Sequence, residues 1–259
     1  MLSSDRSGGG IVVKVVVVGG TGRLGSQVVA ELARRGHDAV AAAPSTGFDT
    51  TSGAGVDEGL AGAQAVVDVS NSPSFEDAAV LDFFQTSTGT LLTAERRAGT
   101  SHHVVLSIVG ADREPDSGYL RAKVAQERLV VDGGVPYTII RSTQFFEFLG
   151  AIADSNVVDG TVRLPSAHLQ PIAATDLAVI VADVVEAPAT DSTIEVAGPE
   201  AVGLDELVRR VLVANGDPRP VITDDSVPYF GARIDDASLT PGQGARIGPT
   251  RLDDWLSRR

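Results

Sequence analysis

The 259-residue chain contains no cysteine, which excludes disulfides, thiolate catalysis and cysteine metal sites. Its four histidines, His37, His102, His103 and His168, form neither a His-x-x-x-His nor a His-Glu-x-x-His arrangement, so a metal site has no support. Basic residues are scarce: 21 Lys and Arg stand against 34 Asp and Glu, a net charge of −13. An acidic surface of this kind disfavours nucleic acid and anionic membranes as partners. No apolar run approaches the length of a membrane span. Residues 1–10 are polar and glycine-rich, and the apolar stretch behind them lacks the basic flank of a signal peptide. They read as a disordered tail, and a cytoplasmic location is the default expectation.

What the chain does have is a concentrated signal at its start. Ile11 to Val18 is a mostly β-branched run, apolar on both faces as a buried strand of a parallel sheet would be. It leads into Gly19, Gly22 and Gly25 at a spacing of three. Leu24, Val28, Val29 and Leu32 then recur at helical spacing before Gly36. Strand, glycine turn and helix make the first half of a dinucleotide-binding unit. Gly19 would allow the sharp turn, Gly22 the approach of a pyrophosphate, and Gly25 the close packing of helix on sheet. The amides opening the helix would face the phosphates. Thr21, Arg23 and Leu24 belong to the same turn.

Strand and helix patterns alternate through residue 141. Strands are expected at Asp38 to Ala43, Ala65 to Val69, Val104 to Ile108 and Tyr137 to Arg141, with helices at about Val56 to Ala61, Phe75 to Ala98 (with a break near Gly89) and Gly118 to Val131. This order specifies an α/β fold with a doubly wound parallel sheet. From about residue 142 the pattern is less regular. Helices are expected at Phe145 to Asp154, Thr175 to Val185 and Leu204 to Asn215, with strands at Gly160 to Leu164 and Thr193 to Val196, before a proline- and glycine-rich tail. No linker composition separates this part. Residues 11–259 therefore read as one Rossmann domain with a small substrate-side extension.

The second strand ends without a carboxylate, at Pro44-Ser45-Thr46-Gly47. An acid there would bind the ribose of NAD and repel the extra phosphate of NADP. Its absence favours NADP, with Ser45, Thr46 and Arg23 as candidate partners of that phosphate, and leaves NAD as the alternative. Tyr119 and Lys123, four apart, share a helix face. A nearby cation would lower the pKa of a tyrosine from its usual value of about 10. Ser107, at a strand end, offers a hydroxyl to a substrate carbonyl. His102 and His103 sit just before a strand start, at the end that faces away from the crevice, and read as structural. Arg96-Arg97 and Arg209-Arg210 read as solvated helix faces, and Asp176 as a cap or corner anchor.

Together, Gly-Gly-Thr-Gly-x-x-Gly after a strand, a serine on a later strand and Tyr-x-x-x-Lys in the next helix resemble the short-chain dehydrogenase/reductase superfamily. The glycine spacing is similar to that of its extended and atypical branches. Residues 137–143 and 171–178 resemble segments of NmrA-like members. The resemblance implies that Gly19, Gly22 and Gly25 seat a pyrophosphate, that Arg23, Ser45 and Thr46 lie near the adenosine ribose, and that Asp49 approaches the adenine. It implies that Asn71 and Lys123 flank the nicotinamide ribose, that Lys123 lowers the pKa of Tyr119, and that Tyr119 exchanges the proton. Ser107 would orient a small-molecule substrate, with Gln144, Phe145 and Phe146 lining its pocket. The implied activity is NAD(P)-dependent oxidation or reduction of a small carbonyl, quinone or alcohol. The alternatives are an NmrA-like dinucleotide sensor without turnover and a non-redox isomerase, cyclase or dehydratase. Superfamily members often pair through helices flanking the sheet, which would make a homodimer.

Overall fold

A computed structural model describes residues 12–258; the expected tail at 1–10 and the first residue of the expected first strand lie outside them. Seven parallel strands form the main sheet: β1 (Lys14–Val18), β2 (Asp38–Ala42), β3 (Ala65–Asp68), β4 (His102–Ile108), β5 (Tyr137–Ser142), β9 (Ser192–Ala197) and β12 (Arg246–Ile247). Their order is β12-β9-β5-β4-β3-β1-β2, so the direction of winding reverses between β1 and β3 and opens a crevice at their carboxyl ends.

The two-sided apolar character of β1 has a direct structural cause. Val15 and Val17 face α1 (Arg23–Arg34) and α6 (Ala174–Glu186), packing with Val28, Leu32, Leu177 and Val181. Val16 and Val18 point the other way, toward α2 (Val56–Leu60) and α3 (Asp77–Ala98), and pack with Leu60, Leu91 and Ala94. Successive side chains of a strand alternate between faces, so a strand sandwiched by helices is apolar at every position. Across the sheet, α3 packs against α4 (Gly118–Asp132).

A second apolar core belongs to the later part of the chain. It joins α5 (Leu149–Ser155), α7 (Leu204–Ala214) and α8 (Leu252–Ser257) with β7 (Thr161–Leu164). Around it lie β6 (Val157–Val158) and β11 (Val221–Thr223), both paired with β7, and the pair β8 (His168–Leu169) and β10 (Val202–Gly203). The chain leaves the main sheet after β5 and returns to it twice, in β9 and β12. Asp176 anchors the corner at α6 by accepting hydrogen bonds from the Thr250 amide (2.8 Å) and hydroxyl (3.0 Å).

Three sequence expectations need correction. Helix α3 runs unbroken through Gly89. A glycine costs about 1 kcal/mol in a helix, which the buried Val80, Phe84, Leu91 and Leu92 outweigh by tertiary packing. His102 and His103 do not precede a strand; they begin β4. The irregular tail contributes an edge strand, β12, held by two pairs with β9, too short to show a period.

His103 is fully buried and its Nδ1 lies 2.8 Å from Glu95 on α3. Burial works against the charged imidazole, but the Glu95 carboxylate outweighs it and holds the pKa of His103 above its ordinary value. A raised pKa gives stability that is complete below the unfolded value of about 6.5 and is lost as the pH rises through the folded value. Glu95→Ala should destabilise the protein by about 3–5 kcal/mol at pH 6, with the difference from wild type narrowing at alkaline pH in urea unfolding; a difference independent of pH would contradict the charged pair.

Candidate active site

The glycine turn carries β1 directly into α1. Gly19 has φ +79° and its amide donates to the Ala42 carbonyl at 2.9 Å. Gly22 is the N-cap of α1 and supplies no side-chain acceptor, so the first amides of that helix remain open to an anion. At Gly25 a Cβ would lie 2.1 Å from the Gly19 carbonyl oxygen, so only glycine lets the helix approach this closely. Gly20 is equally constrained and lies outside the spacing-of-three pattern: its Cβ would stand 2.7 Å from Ala41 Cα on the neighbouring strand.

A cavity of about 1010 Å³ opens from this turn and runs to the second core. It brings together Gly19, Thr21, Gly22, Arg23, Leu24, Gly25, Asp49, Asn71, Ser107, Tyr119, Lys123, Gln144 and Phe145. Three expected residues lie elsewhere. Ser45 is exposed outside the cavity. The Thr46 hydroxyl accepts from the Ala43 amide (3.0 Å) and donates to the Ala43 carbonyl (2.9 Å), closing a 3₁₀ turn over Pro44–Thr46. Phe146 is 3% exposed, with its ring 5.6 Å from that of Trp255 in the second core. The last correction follows from the 3₁₀ turn at Phe146–Phe148. Three residues per turn align i with i+3, so Phe145 and Phe148 meet at 5.6 Å and line the cavity while Phe146 points away.

Ser117 caps the start of α4, accepting from the Leu120 amide, and the helix carries Tyr119 and Lys123 into the cavity. The Tyr119 hydroxyl donates to Asn71 Oδ1 at 2.9 Å. Its ring sits among Phe75, Phe84 and Phe230 at centroid distances of 5.5, 6.2 and 6.1 Å. Desolvation there pushes the phenol up to about 12, against the opposing effect of the Asn71 bond. Lys123 does not lower it as expected. Its ammonium is turned to the Leu106 carbonyl (2.8 Å) and to Gln126 Oε1, and lies 4.3 Å from the Phe84 ring centre. Gln126 in turn donates to Asp68 at 3.1 Å. Burial brings Lys123 down to about 8, opposed by the carboxylates of Asp68 and Glu127.

The Ser107 hydroxyl is buried at the cavity wall without a hydrogen-bond partner among the described residues. Asp49 accepts from the Thr51 amide and hydroxyl and from the Ser52 hydroxyl, which hold its carboxyl down at about 2. Arg23 donates to the Glu147 carbonyl at 2.9 Å and lies 6.0 Å from the Phe148 ring. Sequence reading missed Phe75, Tyr229 and Phe230, all at the cavity. The adjacent aromatics of Pro228-Tyr229-Phe230-Gly231 in a polar tail were the available signal.

An uncapped helix behind a glycine turn, at the reversal point of a parallel sheet, defines a dinucleotide-binding Rossmann protein. More narrowly, the fold is shared with solved structures of a dTDP-4-dehydrorhamnose reductase, an NADPH-dependent quinone oxidoreductase and a nucleoside-diphosphate-sugar epimerase. No protein-family model matches the chain. It is 30% identical over 209 residues to the chloroplastic divinyl chlorophyllide a 8-vinyl-reductase of Cucumis sativus, a match covering 66% of this chain and 49% of the relative. The chain thus spans about half the length of the curated relative it matches. Among solved structures, a dTDP-4-dehydrorhamnose reductase from Clostridium acetobutylicum superposes with a TM-score of 0.71 at 15% identity, over 94% of this chain and 97% of that one. An NADPH-dependent quinone oxidoreductase from Escherichia coli, complexed with NADPH, gives 0.69 at 20% identity over 94% and 99%.

Gly25→Ala should weaken binding of a dinucleotide by more than tenfold and lower stability by about 1–3 kcal/mol through overpacking, read by calorimetric titration and thermal melting. Unchanged affinity would mean that the helix–turn contact does not shape the site.

Proposed function

We propose that the protein is an NADP(H)-dependent oxidoreductase that reduces a small carbonyl or quinone, or oxidises the matching alcohol, with Tyr119 as the proton donor or acceptor. The observation that carries this reading is the continuity of one cavity from the glycine turn to Tyr119, Lys123 and the unpartnered Ser107 hydroxyl. The curated relative is named a reductase and one structural neighbour an NADPH-dependent quinone oxidoreductase, which supports it.

The residues fit a nicotinamide dinucleotide. The glycine cradle and the open amides of α1 would take the pyrophosphate, Asp49, on the cavity wall after β2, would approach the adenosine, and Asn71 and Lys123 would hold the nicotinamide ribose. When bound, the cofactor supplies or accepts hydride. Ala43 and Pro44 line the cavity directly after β2, so no carboxylate stands at the strand end itself; Asp49, further along the wall, is tied to Thr51 and Ser52, and Arg23 is the cation of the glycine turn. With Thr46 committed to its own turn, the NADP reading rests on Arg23 and the missing acid.

The chain's own groups do the remaining chemistry. Ser107 and Tyr119 each bring a hydroxyl to the cavity, where a substrate oxygen would accept from them. A phenol at about 12 donates a hydrogen bond well at neutral pH and becomes a base only with cationic help. Lys123 is the buried cation on the same helix face.

Calorimetric titration should show tighter binding of NADPH than of NADH; the reverse order would remove Arg23 from its role. Tyr119→Phe should lower kcat by about 10²–10⁴-fold with NADPH affinity nearly unchanged. In the wild type kcat should decline above about pH 8 as Lys123 loses its proton. Turnover retained in Tyr119→Phe would overturn its assignment. Product formed without net NADPH consumption would favour an isomerase, and binding of dinucleotide without any turnover a sensor.

A further inference from the structure

The wall of the cavity opposite the glycine turn is built partly by the C-terminal segment. Tyr229 and Ala232 exchange backbone hydrogen bonds of 2.8 and 3.0 Å, so Phe230 and Gly231 are the central residues of a two-residue turn. Their φ angles are +44° and +87°, the pair of positive values that marks a type I′ turn and that Asn, Asp or Gly normally occupies at the first position. Phenylalanine is out of place there by local preference. Its ring nevertheless reaches back to Phe75 (5.8 Å) and Tyr119 (6.1 Å). Phe75 and Phe230 stay 56% and 44% exposed, so two large apolar rings stand uncovered beside the residue assigned the proton. A disfavoured backbone held at such a place points to function.

A second observation is independent of the first. Tyr229 is only 5% exposed, its hydroxyl has no hydrogen-bond partner among the described residues, and it lines the same cavity. A buried unpaired hydroxyl is destabilising unless something else satisfies it. The third observation is charge. Arg23, Asp49 and Lys123 are the charged side chains among the described residues of the wall. Arg23 belongs to the glycine turn, Asp49 follows β2, and Lys123 is bonded to Leu106 and Gln126. At the aromatic end the one cation among the described residues of the wall is thus Lys123, and a diphosphate, which is normally held by Arg or Lys, would find it already bonded.

We infer that the Tyr229–Phe230 turn selects the substrate, a neutral, planar, conjugated molecule whose face lies on Phe75 and Phe230 and one of whose oxygens accepts a hydrogen bond from Tyr229. The inference rests on the reading of this cavity as a reductase site and narrows its substrate class. It excludes nucleotide-diphosphate sugars, in spite of the fold shared with enzymes that act on them.

The test is calorimetric titration of the full chain, saturated with NADP⁺, with 1,4-naphthoquinone and separately with UDP-glucose. Wild type should bind the quinone and not the sugar nucleotide. Tyr229→Phe and Phe230→Asn should each weaken quinone binding about tenfold. Asparagine suits a positive φ, so Phe230→Asn should melt no lower than wild type, which separates lost binding from lost folding. Quinone binding equal in all three proteins, no quinone binding by wild type, or a preference for UDP-glucose would overturn the inference. Quinone binding that depends on both residues, with no NADPH oxidised by any carbonyl compound, would instead refute the reductase reading and leave the binding site standing.

Discussion

The close approach of α1 to the end of β1 is the contact on which the rest of the molecule depends. Gly25 lies against the Gly19 carbonyl with no room for a Cβ. This lets the helix start at the sheet's carboxyl edge with its amides uncapped, and it lets Val28 and Leu32 seal one face of β1. The same edge then receives Asn71 from the end of β3, and Ser107 and Tyr119 from the end of β4 and the helix that follows it. Because all seven main strands run parallel, every loop that follows a strand arrives on one side of the molecule. The turn therefore decides where a phosphate can sit and also where all later chemistry must be delivered.

Burial sets the electrostatics of that edge. Tyr119 and Lys123 are each pushed by desolvation toward their neutral forms, in opposite directions on the pH scale. A neutral phenol is a good donor, and a lysine near 8 is a cation that the surroundings barely retain. The Asp68–Gln126–Lys123 chain of hydrogen bonds supplies the retention. A site built this way keeps few fixed charges, and its orphaned hydroxyls on Ser107 and Tyr229 suit an uncharged oxygen better than an anion.

Much of the first 141 residues was legible because their periods are strong and local. A strand covered on both faces is apolar throughout, α1 repeats its apolar positions at helical spacing, and glycines mark the turn between them. Tyr119 and Lys123 could be paired from spacing alone, since four residues on a helix is a contact distance. Thr46 was misplaced because sequence does not reveal that a hydroxyl will be taken up by its own backbone. Phe146 was misplaced because a 3₁₀ turn, unlike an α-helix, separates it from both Phe145 and Phe148. Gly20 escaped notice because it falls outside the spacing of three, and half of its constraint comes from Ala41, on another strand.

The sequence by itself determined the fold class, the glycine turn and the candidate Ser107, Tyr119 and Lys123 set, since all of these depend on neighbours within one strand, one turn or one helix. Tertiary structure alone decided which way Lys123 points, where the aromatic wall stands and what reaches it from the end of the chain. Tyr229 and Phe230 lie 110 and 111 residues beyond Tyr119 in the numbering, in a segment without period. Contacts at that separation leave no local pattern, because they are made by the packing of whole elements rather than by the preferences of adjacent residues.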